Sequence, residues 1–92
     1  MNKEKEIIER NIELSAEFSR YLFDHPELEE RIPMDAEIIL LPEFDQELKV
    51  FNLNLGRNIE TEGGKVLYIS IKEIRPRVLS RITGIELETV RN

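Results

Sequence analysis

Residues 36 to 72 constrain the fold more than any other stretch of the chain. Ala36-Glu37-Ile38-Ile39-Leu40-Leu41 is a short apolar run stopped by Pro42. Val66-Leu67-Tyr68-Ile69-Ser70-Ile71 is a second run, β-branched and aromatic, reached through Gly63-Gly64. Between them, Asp45 to Glu62 carries apolar residues at helical spacing. Successive residues of a strand point to opposite faces, so a strand that is apolar on consecutive positions needs cover on both. Two such strands joined by a helix-length connection predict adjacent parallel strands at 36–41 and 66–71, with a right-handed crossover. The predicted class is α/β (or α+β). It has two layers: an N-terminal helix, then the β-α-β unit, then a short C-terminal strand.

The 92 residues fit a single domain, 1–92. Hydrophobic residues at 40% beside charged residues at 35% describe a globular chain with a densely charged surface, which excludes disorder. A formal net charge of −6 opposes non-specific binding to nucleic acid or to anionic membranes. With no cysteine, there is no disulfide, thiol nucleophile or cysteine metal site, and His25 is the only histidine. No metal and no cofactor are therefore expected. No apolar run reaches the ~20 residues of a membrane span, and the N-terminus is charged where a signal peptide would be apolar, so a cytoplasmic protein is expected. Abundant Glu, Ile and Arg with a single Gln match a bias of heat-adapted proteins.

Residues 3 to 24 predict the first helix. Ile7, Ile8, Ile12, Leu14, Phe18, Tyr21 and Leu22 line one wide face, and Glu4 and Glu6 sit where the helix dipole favours them. Pro26 ends it, and Asp24 is placed to cap a short second helix over Pro26 to Arg31, stopped by Pro33. Asp45 is the expected N-cap of the crossover helix, with Leu48, Phe51, Leu55 and Ile59 as its core face and Gly63-Gly64 as its end. Gly56 in mid-helix implies a close approach by another group. In the tail, Arg75-Pro76-Arg77 breaks the second strand. Residues 76–84 are either a helical turn or extended, and Ile85-Glu86-Leu87-Glu88-Thr89 alternates like a half-buried third strand.

The two long helices share a pattern. Asn11-Ile12-Glu13-Leu14-Ser15 and Asn52-Leu53-Asn54-Leu55-Gly56 both read Asn-aliphatic-x-Leu-small. Either two amphipathic helices coincide here, or they pack together at Ser15 and Gly56 with Asn11 and Asn52 as structural polar residues bonded nearby. A buried amide demands partners, because an unpartnered one costs roughly 1–3 kcal/mol.

Candidate sites follow from the fold. Ligands of open α/β sheets sit at the carboxyl ends of the strands, an edge that here holds Glu43, Asp45, Glu73 and Arg75. Carboxylates in place of glycines there repel phosphate, which argues against a nucleotide site. Glu43, Asp45 and Glu73 together offer oxygens to a divalent cation, though one cap and two solvated charges explain them as well. His25 reads as a helix-end residue, and catalysis by it would need Asp24 or Tyr21 in a cleft. None of Ser15, Ser19, Ser70 and Ser80 lies in a nucleophile motif, so no catalytic residue is assigned.

Two resemblances bear on function. Ser80 to Arg91 resembles the helix-turn-helix of bacterial repressors, with Gly84 as the turn and Ile85 and Val90 as packing residues. Its reading helix would carry Glu86 and Glu88 towards a polyanion, against the usual basic character. The order of helix, His25-Pro26-Glu27-Leu28, Ile32-Pro33, apolar strand, Leu41-Pro42-Glu43, Leu48, Asn52-Leu53-x-Leu55, Gly-Gly and strand resembles a group of small prokaryotic α/β proteins of unknown function. That resemblance covers residues 11–72, implies a compact α/β fold and supplies no catalytic residues to carry over. The expected function is a non-catalytic domain acting through protein contacts with an unknown partner and first with itself, as a homodimer. No nucleic acid and no membrane partner are expected. The alternatives are small-ligand or cation binding at the acidic strand-end loop, possibly enzymatic, and DNA binding through the tail.

Overall fold

The computed structural model describes residues 2–76 and 81–88. Five elements follow in order: α1 (Lys3–Asp24), α2 (Pro26–Glu29), β1 (Glu37–Pro42), α3 (Gln46–Thr61) and β2 (Val66–Ile71). Strands β1 and β2 pair in parallel, in a register from Glu37 beside Val66 to Pro42 beside Ile71. The expected parallel β-α-β unit is thus present, and it follows a long N-terminal helix.

Local chemistry sets the boundaries. The Asn2 side chain accepts hydrogen bonds from the backbone N–H groups of Glu4 and Lys5 at 3.0 and 3.3 Å, which starts α1. Helix α1 runs through Asp24, so His25 and not Asp24 precedes α2, and no side chain caps that short helix. The expected Asp24 cap fails because a residue still inside one helix lacks the extended backbone of an N-cap. Asp45 does cap α3, its carboxylate accepting from Leu48 N–H at 3.2 Å. Helix α3 ends when Gly63 adopts φ of +90°. Its N–H then reaches the Glu60 carbonyl at 3.0 Å and that of Gly64 the Ile59 carbonyl at 2.8 Å, the paired bonds of a Schellman ending.

Strand β1 runs one residue further than expected, to Pro42. Glu37 and Glu43 donate to the Lys65 and Ile71 carbonyls, so odd-numbered residues of β1 face β2 and even-numbered ones face the open edge. Pro42 therefore sits where its missing N–H leaves no gap in the ladder.

The core is small. Ile7, Leu14, Leu40 and Leu48 form its buried centre, with Phe18, Phe51, Ile69 and Ile71 packed around it. The buried stripe of α3 is Leu48, Asn52 and Gly56, each one turn apart. This differs from the expected Leu48-Phe51-Leu55-Ile59 face. Phe51 and Ile59 are half-buried and Leu55 is exposed, because a polar and a small residue occupy the inner line instead.

Gly56 meets Tyr68, not α1. A Cβ at residue 56 would lie 2.6 Å from Tyr68 Cε1 and 2.7 Å from its hydroxyl oxygen. The Tyr68 hydroxyl in turn donates to Glu60 one turn further along α3. The glycine lets the ring cross the helix, and Ser15, its supposed counterpart, is exposed. Packing of the two long helices at their small residues is thereby corrected.

Residues 72–76 and 81–88 carry no helix or strand and are exposed. The expected third strand is absent over residues 85–88, and Thr89 lies outside the described residues, as do residues 77–80 of the possible 76–84 turn. Alternation determines which side chains share a face but supplies no ladder partner, and a strand forms only beside one. Among the described residues the sheet has two strands.

Substituting Gly56→Ala should separate propensity from packing. Alanine would gain up to ~1 kcal/mol in a free helix, but the added methyl must displace the Tyr68 ring. A net loss of about 1–3 kcal/mol by urea denaturation is expected, and a gain would show the Tyr68 contact to be loose.

Candidate functional site

The polar centre of the molecule is Asn52. It is 4% exposed and the one buried polar residue among the described residues. Its Nδ2 donates to the Leu40 carbonyl at 2.9 Å and to Asn11 Oδ1 at 2.8 Å, while its Oδ1 accepts from Asn11 Nδ2 at 2.9 Å. One amide thereby ties α3 to the open edge of β1 and to α1. Of the two readings of the shared Asn motif, the amides do bond to each other, although the accompanying small residues are not in contact.

A second clamp starts from Arg10, the residue before Asn11. Arg10 Nη1 and Nη2 donate to Asp45 at 2.8 Å and to Glu47 at 2.6 Å, and Lys3 pairs with Glu47 at 2.8 Å. The N-cap carboxylate of α3 thus also docks α1. Hydrogen bonds from Lys3 and then Arg10 hold the Glu47 carboxyl below the ordinary glutamate range.

The strand-end residues are placed as follows. Glu43 accepts from Lys49 at 2.7 Å and from the Ser70 hydroxyl at 2.8 Å. These two bonds, Lys49 first, lower its pKa. Asp45 is engaged by Leu48 N–H and Arg10. Glu73 and Arg75 lie exposed beyond β2. The structure does not gather Glu43, Asp45 and Glu73 around one point, and among the described residues no group of three acidic or histidine side chains is spaced to hold a metal ion. Each loop carboxylate instead has its own cation. His25 stacks on Tyr21 with ring centroids 4.0 Å apart, and its Nδ1 lies 2.9 Å from the Tyr21 carbonyl. That arrangement fastens a helix end.

The open feature is a groove beside this junction. Ile8, Asn11, Ile12 and Ser15 of α1 face Phe51 and Leu55 of α3 across a space of about 460 Å³. A smaller hollow continues it to Ile38, Ile39 and Leu40 on the β1 edge. Ile8, Ile12, Ile38 and Leu55 are all exposed there. The sequence puts Ile8 and Ile12 on the same wide apolar face of α1 as Ile7 and Leu14. The wide apolar stripe was legible, but the division between its buried half (Ile7, Leu14) and its open half was not.

The elements and site define a small protein built on one parallel β-α-β unit, pinned to a long N-terminal helix by an amide pair. A family model described as "Family of unknown function (DUF5647)" matches residues 6–85, and the chain belongs to that family. Residues 81–88 form no helix, so no helix-turn-helix is shown there; the remaining residues of that resemblance lie outside the described ones. No curated protein and no solved structure matches the chain. Among the described residues, no helix is long and apolar enough to cross a membrane.

Two measurements check the junction. In a double-mutant cycle of Asn11→Ala and Asn52→Ala, Asn52→Ala alone should cost about 2 kcal/mol or more, and the coupling should reach about 1 kcal/mol. Additive effects would mean that the amides do not act as a pair. The lowered pKa values of Glu43 and Glu47 contribute stability that is complete above the unfolded value of about 4.3 and is lost as pH falls through the folded values. The urea midpoint should therefore hold between pH 7 and 5 and drop below about pH 4, less steeply for Glu47→Gln. An identical acid profile for the variant would remove Glu47 from the account.

Proposed function

We propose that this chain is a non-catalytic protein-contact module whose first partner is a second copy of itself. The observation that carries the reading is the groove between α1 and α3, where Ile8, Ile12 and Leu55 stand exposed around a largely apolar hollow. Contiguous exposed apolar surface of this kind is unusual on a soluble monomer and marks an interaction site. The open edge of β1 at the end of the groove adds to it, since an uncovered strand edge invites pairing with another chain. Two-fold pairing is the commonest way to cover such a surface.

Support also comes from the strand-end carboxylates. Glu43 and Asp45, the groups offered for a cation or small ligand, are each already bonded within the protein. Contact surface, not chemistry, is what the molecule has to spare.

Sedimentation equilibrium at micromolar concentration tests the proposal. The expected mass is twice the 10.9 kDa of the chain. Ile12→Glu, on an exposed position and so without effect on the fold by circular dichroism, should return the protein to a monomer. A wild-type chain that sediments as a monomer would refute self-association, and a dimeric Ile12→Glu variant would place the contact elsewhere.

A further inference from the structure

The tail and the groove are complementary in three ways. The first is apolar surface. Ile85 and Leu87 are 77% and 91% exposed on a segment with the alternation of a strand but, among the described residues, no strand beside it. Such side chains represent burial still to be made. The groove presents the matching deficit in Ile8, Ile12 and Leu55.

The second is backbone. Even-numbered residues of β1 turn their backbone groups to the open edge. The Leu40 carbonyl there is taken by Asn52, which leaves the Ile38 N–H and carbonyl and the Leu40 N–H directed along the hollow. An extended peptide laid on this edge would find the ladder that residues 85–88 lack, the strand-addition mode of peptide recognition.

The third is charge. Up to Ile71 the chain has eight basic against sixteen acidic residues, a formal −8; after it, five against three, a formal +2. The connection to the apolar tail holds Lys72, Arg75, Arg77 and Arg81 against Glu73 alone. On α1 the exposed Glu9 and Glu13 follow Ile8 and Ile12. The charge match is thus between the basic connector and the acidic body, while the segment itself adds Glu86 and Glu88. Within one chain, no described residue of the segment lines the groove.

We propose that the groove between α1 and α3, with the open edge of β1, is filled by residues 82–88 of a second copy of this chain. The inference rests on the self-association reading and names the segment that makes the contact. Reciprocal exchange of tails between two copies satisfies both grooves at once and closes the assembly.

The test uses full-length chains. A spin label is attached at Glu86→Cys, the only cysteine in the variant and flanked by Ile85 and Leu87, which stay intact. This unlabelled-isotope chain is mixed with 15N-labelled wild-type protein. Broadening of the amides of Ile8 to Ser15 and Phe51 to Leu55 in the wild-type partner is expected. The double variant Ile85→Asp/Leu87→Asp should weaken the dimer about a hundredfold or more by sedimentation, with unchanged circular dichroism. Broadening that arises only when label and isotope share a chain would show the groove to be filled by its own tail and overturn the proposal. A dimer lost in Ile12→Glu but kept in Ile85→Asp/Leu87→Asp would overturn it while leaving self-association through the groove intact. A monomeric wild-type chain would overturn both.

Discussion

Asn52 holds the three main elements of this protein together. Among the described residues a two-stranded sheet and two long helices leave little apolar area to bury, and four residues form the hydrophobic centre. In such a core the orientation of α1 is not dictated by shape alone. The Asn52 amide supplies the missing direction. Both of its protons and its oxygen are committed, to Leu40 of β1 and to Asn11 of α1, and a buried amide that lost these partners would leave polar groups stranded in apolar surroundings. Sliding or rotating α1 by one residue breaks the pair, so register follows from hydrogen bonding more than from packing.

Everything beside that junction is arranged to let the elements come close. Gly56, one turn after Asn52, admits the Tyr68 ring onto the helix. Pro42 closes β1 on the side where no N–H is needed. Arg10 ties the N-cap of α3 to α1, using a carboxylate that has already done its local work at Leu48. Partly exposed ion pairs of this kind are individually weak, and their contribution is to fix geometry at the rim of a core that is small. The same smallness leaves Ile8, Ile12 and Leu55 uncovered, and that surface, more than any titratable cluster, is what distinguishes the molecule.

Much of this fold was legible in the sequence, and the reasons are physical. Consecutive apolar residues at Ile38 to Leu41 and at Val66 to Ile69 mean two covered faces, and the helix-length spacer between them forces parallel pairing. The N-cap role of Asp45 and the glycine ending at Gly63-Gly64 depend on local chemistry, which a sequence states directly. The shared asparagines raised a pairing of the two helices as one of two readings, and the amides do bond. What failed were inferences that need the third dimension. Leu55 and Ile59 look like core because they are apolar, yet the inner line of α3 runs through Asn52 and Gly56. Gly56 announced a close approach but could not name Tyr68 as the group approaching. Residues 85–88 have the pattern of a strand, which says nothing of whether an edge lies within reach. Glu43, Asp45 and Glu73 share a strand end, but Glu43 and Asp45 are each drawn to different cations or caps and Glu73 projects from the tail.

The dependence of the fold on one amide can be measured without altering a residue. Hydrogen exchange of the Asn52 side-chain NH2 protons, followed by NMR under native conditions, reports whether they are released by local motion or only by unfolding. The account predicts that both protons exchange at the rate set by global unfolding, alongside the backbone amides of Leu40 and Leu48. Exchange as fast as that of an exposed asparagine such as Asn58, while those backbone amides stay protected, would contradict it.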